Sequence, residues 1–185
     1  MKALLNIWLV CWCFLAANSY AQSLPSGDAD RSAGDLIQLA LPAVGLAAAW
    51  WQGDSTGAKQ WAYTMAATGL STQVLKQAFN NTALGERPNG GNQSFPSGHT
   101  SSACAGAAFI GRRYGWQYGI PAFVPAAFVA YSRVDEGLHH WRDVVAGCAL
   151  GATLSYYLTE SKQQSLAITP DVLGGHLAVT AVWSF

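Results

Sequence analysis

Five apolar stretches of helical character recur along this chain, at 36–51, 61–79, 101–110, 116–131 and 144–158, and the segments between them carry the Gly, Pro, Asn and Ser of turns. That repetition predicts an all-α fold, a helical bundle of five to six helices with antiparallel neighbours. Charge is scarce: 11% of the 185 residues are Asp, Glu, Lys or Arg against 51% hydrophobic, a balance poor for a water-soluble globule and expected of mostly membrane-embedded helices. Several stretches hold fewer than the roughly 20 apolar residues that span a bilayer comfortably. Lys59, Gln60, Gln73 and Lys76 also make the second stretch amphipathic. Formal net charge is zero, so no basic excess recruits nucleic acid and positive charge must act locally.

Residues 1–21 read as a signal peptide or as an uncleaved first transmembrane helix. Lys2 gives the positive start, 3–17 the apolar run, and Ser19-Tyr20-Ala21 a small-residue cleavage pattern before Gln22. A polar stretch at 23–35 follows. The bundle occupies 22–162, and the tail, 163–185, alternates Leu177, Val179, Ala181, Trp183 and Phe185 with smaller or polar residues around Pro170-Asp171 and Gly174-Gly175, which predicts a short β-hairpin. With Lys2 on the cytoplasmic side, alternation of crossings puts Lys59, Arg112-Arg113 and Lys162 there too, as the positive-inside tendency expects. An inner-membrane protein whose site faces the periplasm follows from this; a soluble periplasmic protein is the alternative.

Two motifs carry the chemistry: Pro96-Ser97-Gly98-His99, and Ser132-Arg133 followed by His139 and then Asp143. Histidine can attack phosphorus or deliver a proton near neutral pH, and two histidines allow one to do each. Arg133 and the upstream Arg87-Pro88 supply guanidinium forks that match phosphate oxygens. Ser97 and the Gly98 amide sit where a helix begins, a place that favours an anion. A helix running away from His99 and another returning to Ser132-Arg133 over a similar length would bring the two ends level, with Lys76 and His139 arriving at the same height. Asp143, four residues beyond His139, can hold one imidazole nitrogen and leave the other free. No Asp/Glu cluster or Cys-x-x-Cys points to a metal, and no cofactor is called for.

Arg87-Pro88, Pro96-Ser97-Gly98-His99 and Ser132-Arg133 with His139 and Asp143 together resemble the three-part signature of the type 2 phosphatidic acid phosphatase superfamily, over the segment from Lys76 to Asp143. The resemblance implies that His139 is the nucleophile, forming a phosphohistidine, and that His99 protonates the leaving alcohol, with Lys76, Arg87, Ser97, Gly98 and Arg133 binding phosphate. It also implies a lipid phosphate substrate: phosphatidic acid, phosphatidylglycerol phosphate or a polyprenyl diphosphate. One departure stands out. Ten residues separate Lys76 from Arg87 where the family usually has six, which an insertion near 80–85 would explain. A soluble periplasmic acid phosphatase of the same superfamily and a non-catalytic phospholipid-binding membrane protein are the rival readings.

Cys104 and Cys148 each follow a motif residue, His99 and Asp143, by five positions, so both a disulfide at matching depth and two separate thiols fit. Thiols packed as small apolar residues are the expectation, since two cysteines give no framework. His140 and His176 receive no role.

Overall fold

The computed structural model describes residues 26–162, 166–173 and 176–183; the leader or first crossing expected at 1–21 lies outside the described residues. Five helices follow one another: α1 (Ser26–Trp51), α2 (Ser55–Phe79), α3 (Gly98–Tyr114), α4 (Trp116–Asp135) and α5 (Trp141–Leu158). The expected all-α bundle is the architecture found. Its first helix starts earlier than the apolar pattern indicates, taking in the polar residues before Leu36. Gly34 on that face is buried against Ser132 and Arg133 of α4, where any side chain would collide with both.

α3 is the central helix. It contacts the four others, and its buried residues are almost all small, running from Thr100 through Ala103, Ala105, Gly106 and Ala108 to Gly111. Small residues let backbones approach closely, and α5 answers with Gly147 and Gly151, whose absent side chains leave room for the carbonyls of Ser97 and Ser101. Across this contact Cys104 and Cys148 form a disulfide, their Cα atoms 5.1 Å apart. The pairing corrects the expectation of separate thiols: the glycine contact brings two backbones within the reach of a bridge, which spacing along the chain does not reveal.

Pro42 lies inside α1 and cannot donate to the carbonyl of Gln38 one turn earlier. Ser102 of α3 takes over, its hydroxyl donating to that carbonyl at 3.2 Å. The indole of Trp61 on α2 donates to the Pro42 carbonyl at 2.8 Å. Three helices are thus stitched at one level, and the Ser102 hydroxyl serves the one carbonyl that the proline deprives of its helical donor.

At the end of α3 far from His99, the loop between α1 and α2 places Asp54 as the N-cap of α2, where it accepts from the Gly57 amide. Arg113 donates to both Asp54 oxygens, at 2.8 and 2.6 Å, and to the carbonyl of Glu160 at 3.0 Å. Lys59, Arg112, Arg113 and Lys162 all belong to this end, the Lys162 amide donating to the Arg113 carbonyl. Beyond α5, β1 (Leu166–Leu173) pairs antiparallel with β2 (His176–Trp183) from Leu166 against Trp183 to Leu173 against His176. The first strand runs on through Pro170-Asp171, which the sequence pattern had treated as a break.

Candidate active site

The opposite end of the bundle holds a cavity of about 320 Å³. Its location follows from how α3 begins. Ser97 caps the helix, its hydroxyl oxygen accepting from Thr100, and Gly98 and His99 form the first turn, whose amides have no partner further back in the helix. Lys76 from the last turn of α2, Arg87 from the loop after it, Gly98 and His99 from α3, Arg133 from the last turn of α4 and His139 from the α4–α5 connection all line the cavity. Gln38, Gln73 and Leu138 complete its wall. Of the residues singled out from sequence, Ser97 and Asp143 do not reach it: both are fully buried behind it.

The cations are fixed by backbone oxygens. Lys76 is buried and donates to the carbonyl of Gln93 at 2.5 Å. Gln93 adopts a left-handed φ of 59°, and the loop from Asn80 folds back on itself at Gly85, which rests against the Phe79 and Asn80 carbonyls. The long Lys76–Arg87 interval is taken up in this turn, and both residues still meet at the cavity. Arg87 donates through Nε to the Asn92 carbonyl at 2.9 Å. Burial, then the nearby Arg87 charge, pulls the Lys76 pKa down to about 8.

His139 precedes α5 and does not share a helical turn with Asp143, since that helix starts at Trp141. Its amide donates to the Arg133 carbonyl at 3.1 Å, tying the two cavity residues into one tight turn at Gly137, whose φ is 65°. The ring presents Nδ1 toward Asp143 Oδ2 at 3.6 Å, an ion-pair distance rather than a hydrogen bond. Asp143 Oδ2 accepts from the Ser94 hydroxyl at 2.5 Å and from the His140 amide at 2.9 Å. A buried carboxylate held so firmly can orient the His139 ring and leave Nε2 to the cavity. Burial, with the Lys76 and Arg87 charges, pushes the His139 pKa down to about 4 against the opposing pull of Asp143, which leaves the imidazole neutral and nucleophilic at pH 7.

His99 behaves differently. Its Nε2 lies 3.0 Å from Oδ1 of Asp35 on α1. Burial and the Arg133 charge lower its pKa, and Asp35 works in the other direction. The same Asp35 oxygen accepts from Arg133 Nη1 at 2.8 Å, while Nη2 donates to the Arg31 carbonyl at 2.9 Å and to Glu136 Oε1 at 3.3 Å. Asp35, Glu136 and Ser94 are the site neighbours that sequence reasoning missed. Only Asp35 had a signal: Arg31, Asp35 and Gln38 fall at helical spacing, on one face.

Two neutral-capable imidazoles, three fixed cations and the amides of a helix start, gathered from three helices and two loops, make a pocket suited to an anion, with two groups able to take or give a proton. The model of the PAP2 superfamily matches residues 57–166. The lipid A 1-phosphatase of Helicobacter pylori is 31% identical over 135 residues, covering 69% of this chain and 66% of that protein. A decaprenylphosphoryl-5-phosphoribose phosphatase of Mycobacterium tuberculosis is 41% identical over 61 residues, 33% of each. The matches therefore span under two thirds of these relatives' length. Among solved structures, the LpxE of Aquifex aeolicus superposes with a TM-score of 0.51 at 19% identity over 67% of this chain and 84% of that one, a likeness of fold. The family match takes in more than half of the chain and contains every cavity cation and both histidines: the chain belongs to the PAP2 superfamily.

Proposed function

We propose that the protein is a phosphatase that hydrolyses the phosphate of a membrane lipid, of the phosphatidic acid, phosphatidylglycerol phosphate, polyprenyl diphosphate or lipid A 1-phosphate kind, through a phosphohistidine. The observation that carries this reading is the meeting of His99 and His139 with Lys76, Arg87 and Arg133 around one cavity. In the first step His139 Nε2 forms a bond to phosphorus as the phosphorus–oxygen ester bond breaks, and His99 gives its proton to the departing alcohol. Water then attacks phosphorus, His99 takes its proton, and the phosphorus–nitrogen bond breaks to release phosphate. Lys76, Arg87 and Arg133 neutralise charge on the phosphoryl oxygens, where water exclusion makes such contacts strong.

Membrane residence is supported by where the apolar side chains lie. α2 turns Thr64, Thr68, Thr72 and Lys76 inward and leaves Tyr63, Leu70 and Val74 exposed. Leu36, Leu39, Ile120, Val124 and Val145 are exposed on other helices while Ala, Gly and Ser fill the centre. A water-soluble bundle distributes these residues the other way round, and lipid is the solvent for which this arrangement costs nothing. α1 contains one stretch, Ala29–Trp51, long and apolar enough to cross a bilayer. Trp50, Trp51, Trp116, Tyr156 and Tyr157, exposed near the Arg113 end, suit an interface belt.

Phosphate release from detergent-solubilised protein, measured over a panel of lipid phosphates, tests the reading. His139→Ala is expected to lower turnover by at least ~10³-fold with the melting curve retained. Undiminished release from that variant rejects His139 as nucleophile.

A further inference from the structure

The family signature accounts for the site from Lys76 onward and leaves α1 without a part in the reaction. Yet α1 delivers a carboxylate to the cavity. Gly34 allows α1 to press onto Ser132 and Arg133, with Arg133 Nη2 within 2.6 Å of where a β-carbon would stand, and the next residue, Asp35, is thereby placed between the two groups that matter most. A single oxygen, Asp35 Oδ1, lies 3.0 Å from His99 Nε2 and 2.8 Å from Arg133 Nη1.

We propose that Asp35 is a positioning residue for the reaction: bridging His99 and Arg133, it aligns the His99 imidazole and favours its charged form, so that it can serve as the acid for the leaving alcohol. The inference rests on the phosphatase reading above. The electrostatic need is plain from the groups around that ring. Arg133 lies beside it and Lys76 lies across the cavity, and both discourage a second positive charge, as does burial. Arg31 on α1 and Glu136 at the end of α4 pair with each other at 3.7 Å, and Glu136 also shares the Arg133 fork. Asp35 is therefore the carboxylate in direct contact with His99 among the described residues, and it is half-exposed, so phosphate can share Arg133 without a buried charge being abandoned.

Asp35→Asn keeps the shape and removes the charge, at a position exposed enough for folding to survive. The assay compares a lipid phosphate, whose alkoxide leaves only with a proton, with p-nitrophenyl phosphate, whose phenolate leaves without one. Expected is a fall of about tenfold in kcat/KM for the lipid at pH 7, with at most a small change for p-nitrophenyl phosphate, and an alkaline limb of the kcat/KM profile moved to lower pH by about one unit. Asp35→Glu is expected to restore part of the lipid activity. Equal losses on both substrates with the pH limb unmoved would reduce Asp35 to a structural contact and overturn the proposal. A rise in kcat/KM accompanied by tighter inhibition by inorganic phosphate would also overturn it, making the carboxylate a plug. A variant identical to the unsubstituted enzyme defeats the role of Asp35 alone, whereas no turnover by the unsubstituted enzyme defeats the phosphatase reading with it.

Discussion

Asp54 and Asp35 each meet an arginine, at opposite ends of the bundle, and their surroundings differ. Asp54 is 5% exposed and takes both of its oxygens into bonds with Arg113, with the Tyr114 hydroxyl adding a third at 3.1 Å. Asp35 is 48% exposed and offers one oxygen to Arg133 and His99 together. The two arginines lie on consecutive antiparallel helices, and the fourteen residues from His99 to Arg113 separate the ends by about 21 Å. A closed pair with every partner internal holds helices together. A pair left half-open, with its arginine on a cavity, can trade one anion for another. On the proposed reading, fold-holding and phosphate-handling fall to different ends of the same central helix.

The comparison breaks most visibly at the closed end. Asp54→Ala strands the buried Arg113 charge, and a loss of about 3–5 kcal/mol in unfolding free energy is expected with kcat little changed, measured by denaturant titration in detergent alongside phosphate release. A large drop in kcat for a variant that still folds would erase the division of labour. Next in size is Arg133→Lys, which keeps a charge and loses the fork. It should cost about 10²-fold in kcat/KM while the melting temperature moves little. The reverse pattern, with stability lost and kinetics spared, would place Arg133 with Arg113 among the structural groups.

The smallest effect is one of pH, and it separates the ends by their titration. The Arg113 bonds, together with the Gly57 amide, hold the Asp54 pKa near 2 against an ordinary 3.8. A depressed carboxylate stabilises the fold above its unfolded pKa, so roughly 2 kcal/mol is present above about pH 4 and lost as pH falls toward 2. At the cavity, the proposed mechanism requires His139 neutral and His99 protonated. The kcat/KM profile should rise as pH climbs through about 4 and fall again below the ordinary histidine value of 6.5, since both rings are shifted downward. Activity on lowering pH is then lost before the fold weakens. An optimum above pH 7 in the free-enzyme profile would contradict the burial of these rings.

How much of this was legible before any coordinates depended on which forces act locally. Pro96-Ser97-Gly98-His99 and Ser132-Arg133 were readable because a helix cap and the chemistry of phosphate each demand particular residue types, and antiparallel helices of similar length had to bring them level. The start of α1 was not, because apolar periodicity marks only helix faces in lipid or core, and Arg31, Asp35 and Gln38 look like linker residues until a cavity is there to face. The displacement of His139 from its helix was hidden for a related reason: a spacing of four fits one helical turn, and it equally fits a tight turn at Gly137 followed by a helix whose third residue is Asp143. The Ser94–Asp143 bond and the Cys104–Cys148 bridge join positions 49 and 44 residues apart, and no local pattern encodes such meetings.

That bridge has a bearing on where the protein can be completed. It sits five residues beyond both His99 and Asp143, where α3 and α5 also meet through the glycine contact of Gly147 and Gly151 with Ser97 and Ser101 and through the Ser97 amide, which donates to the Asp143 carbonyl. Until the two sulfurs are oxidised, nothing covalent sets the gap between the helix that carries His99 and the one that carries Asp143. A chain with these cysteines oxidised therefore carries a covalent tie directly behind the cavity, and a compartment that keeps thiols reduced would leave that tie unmade.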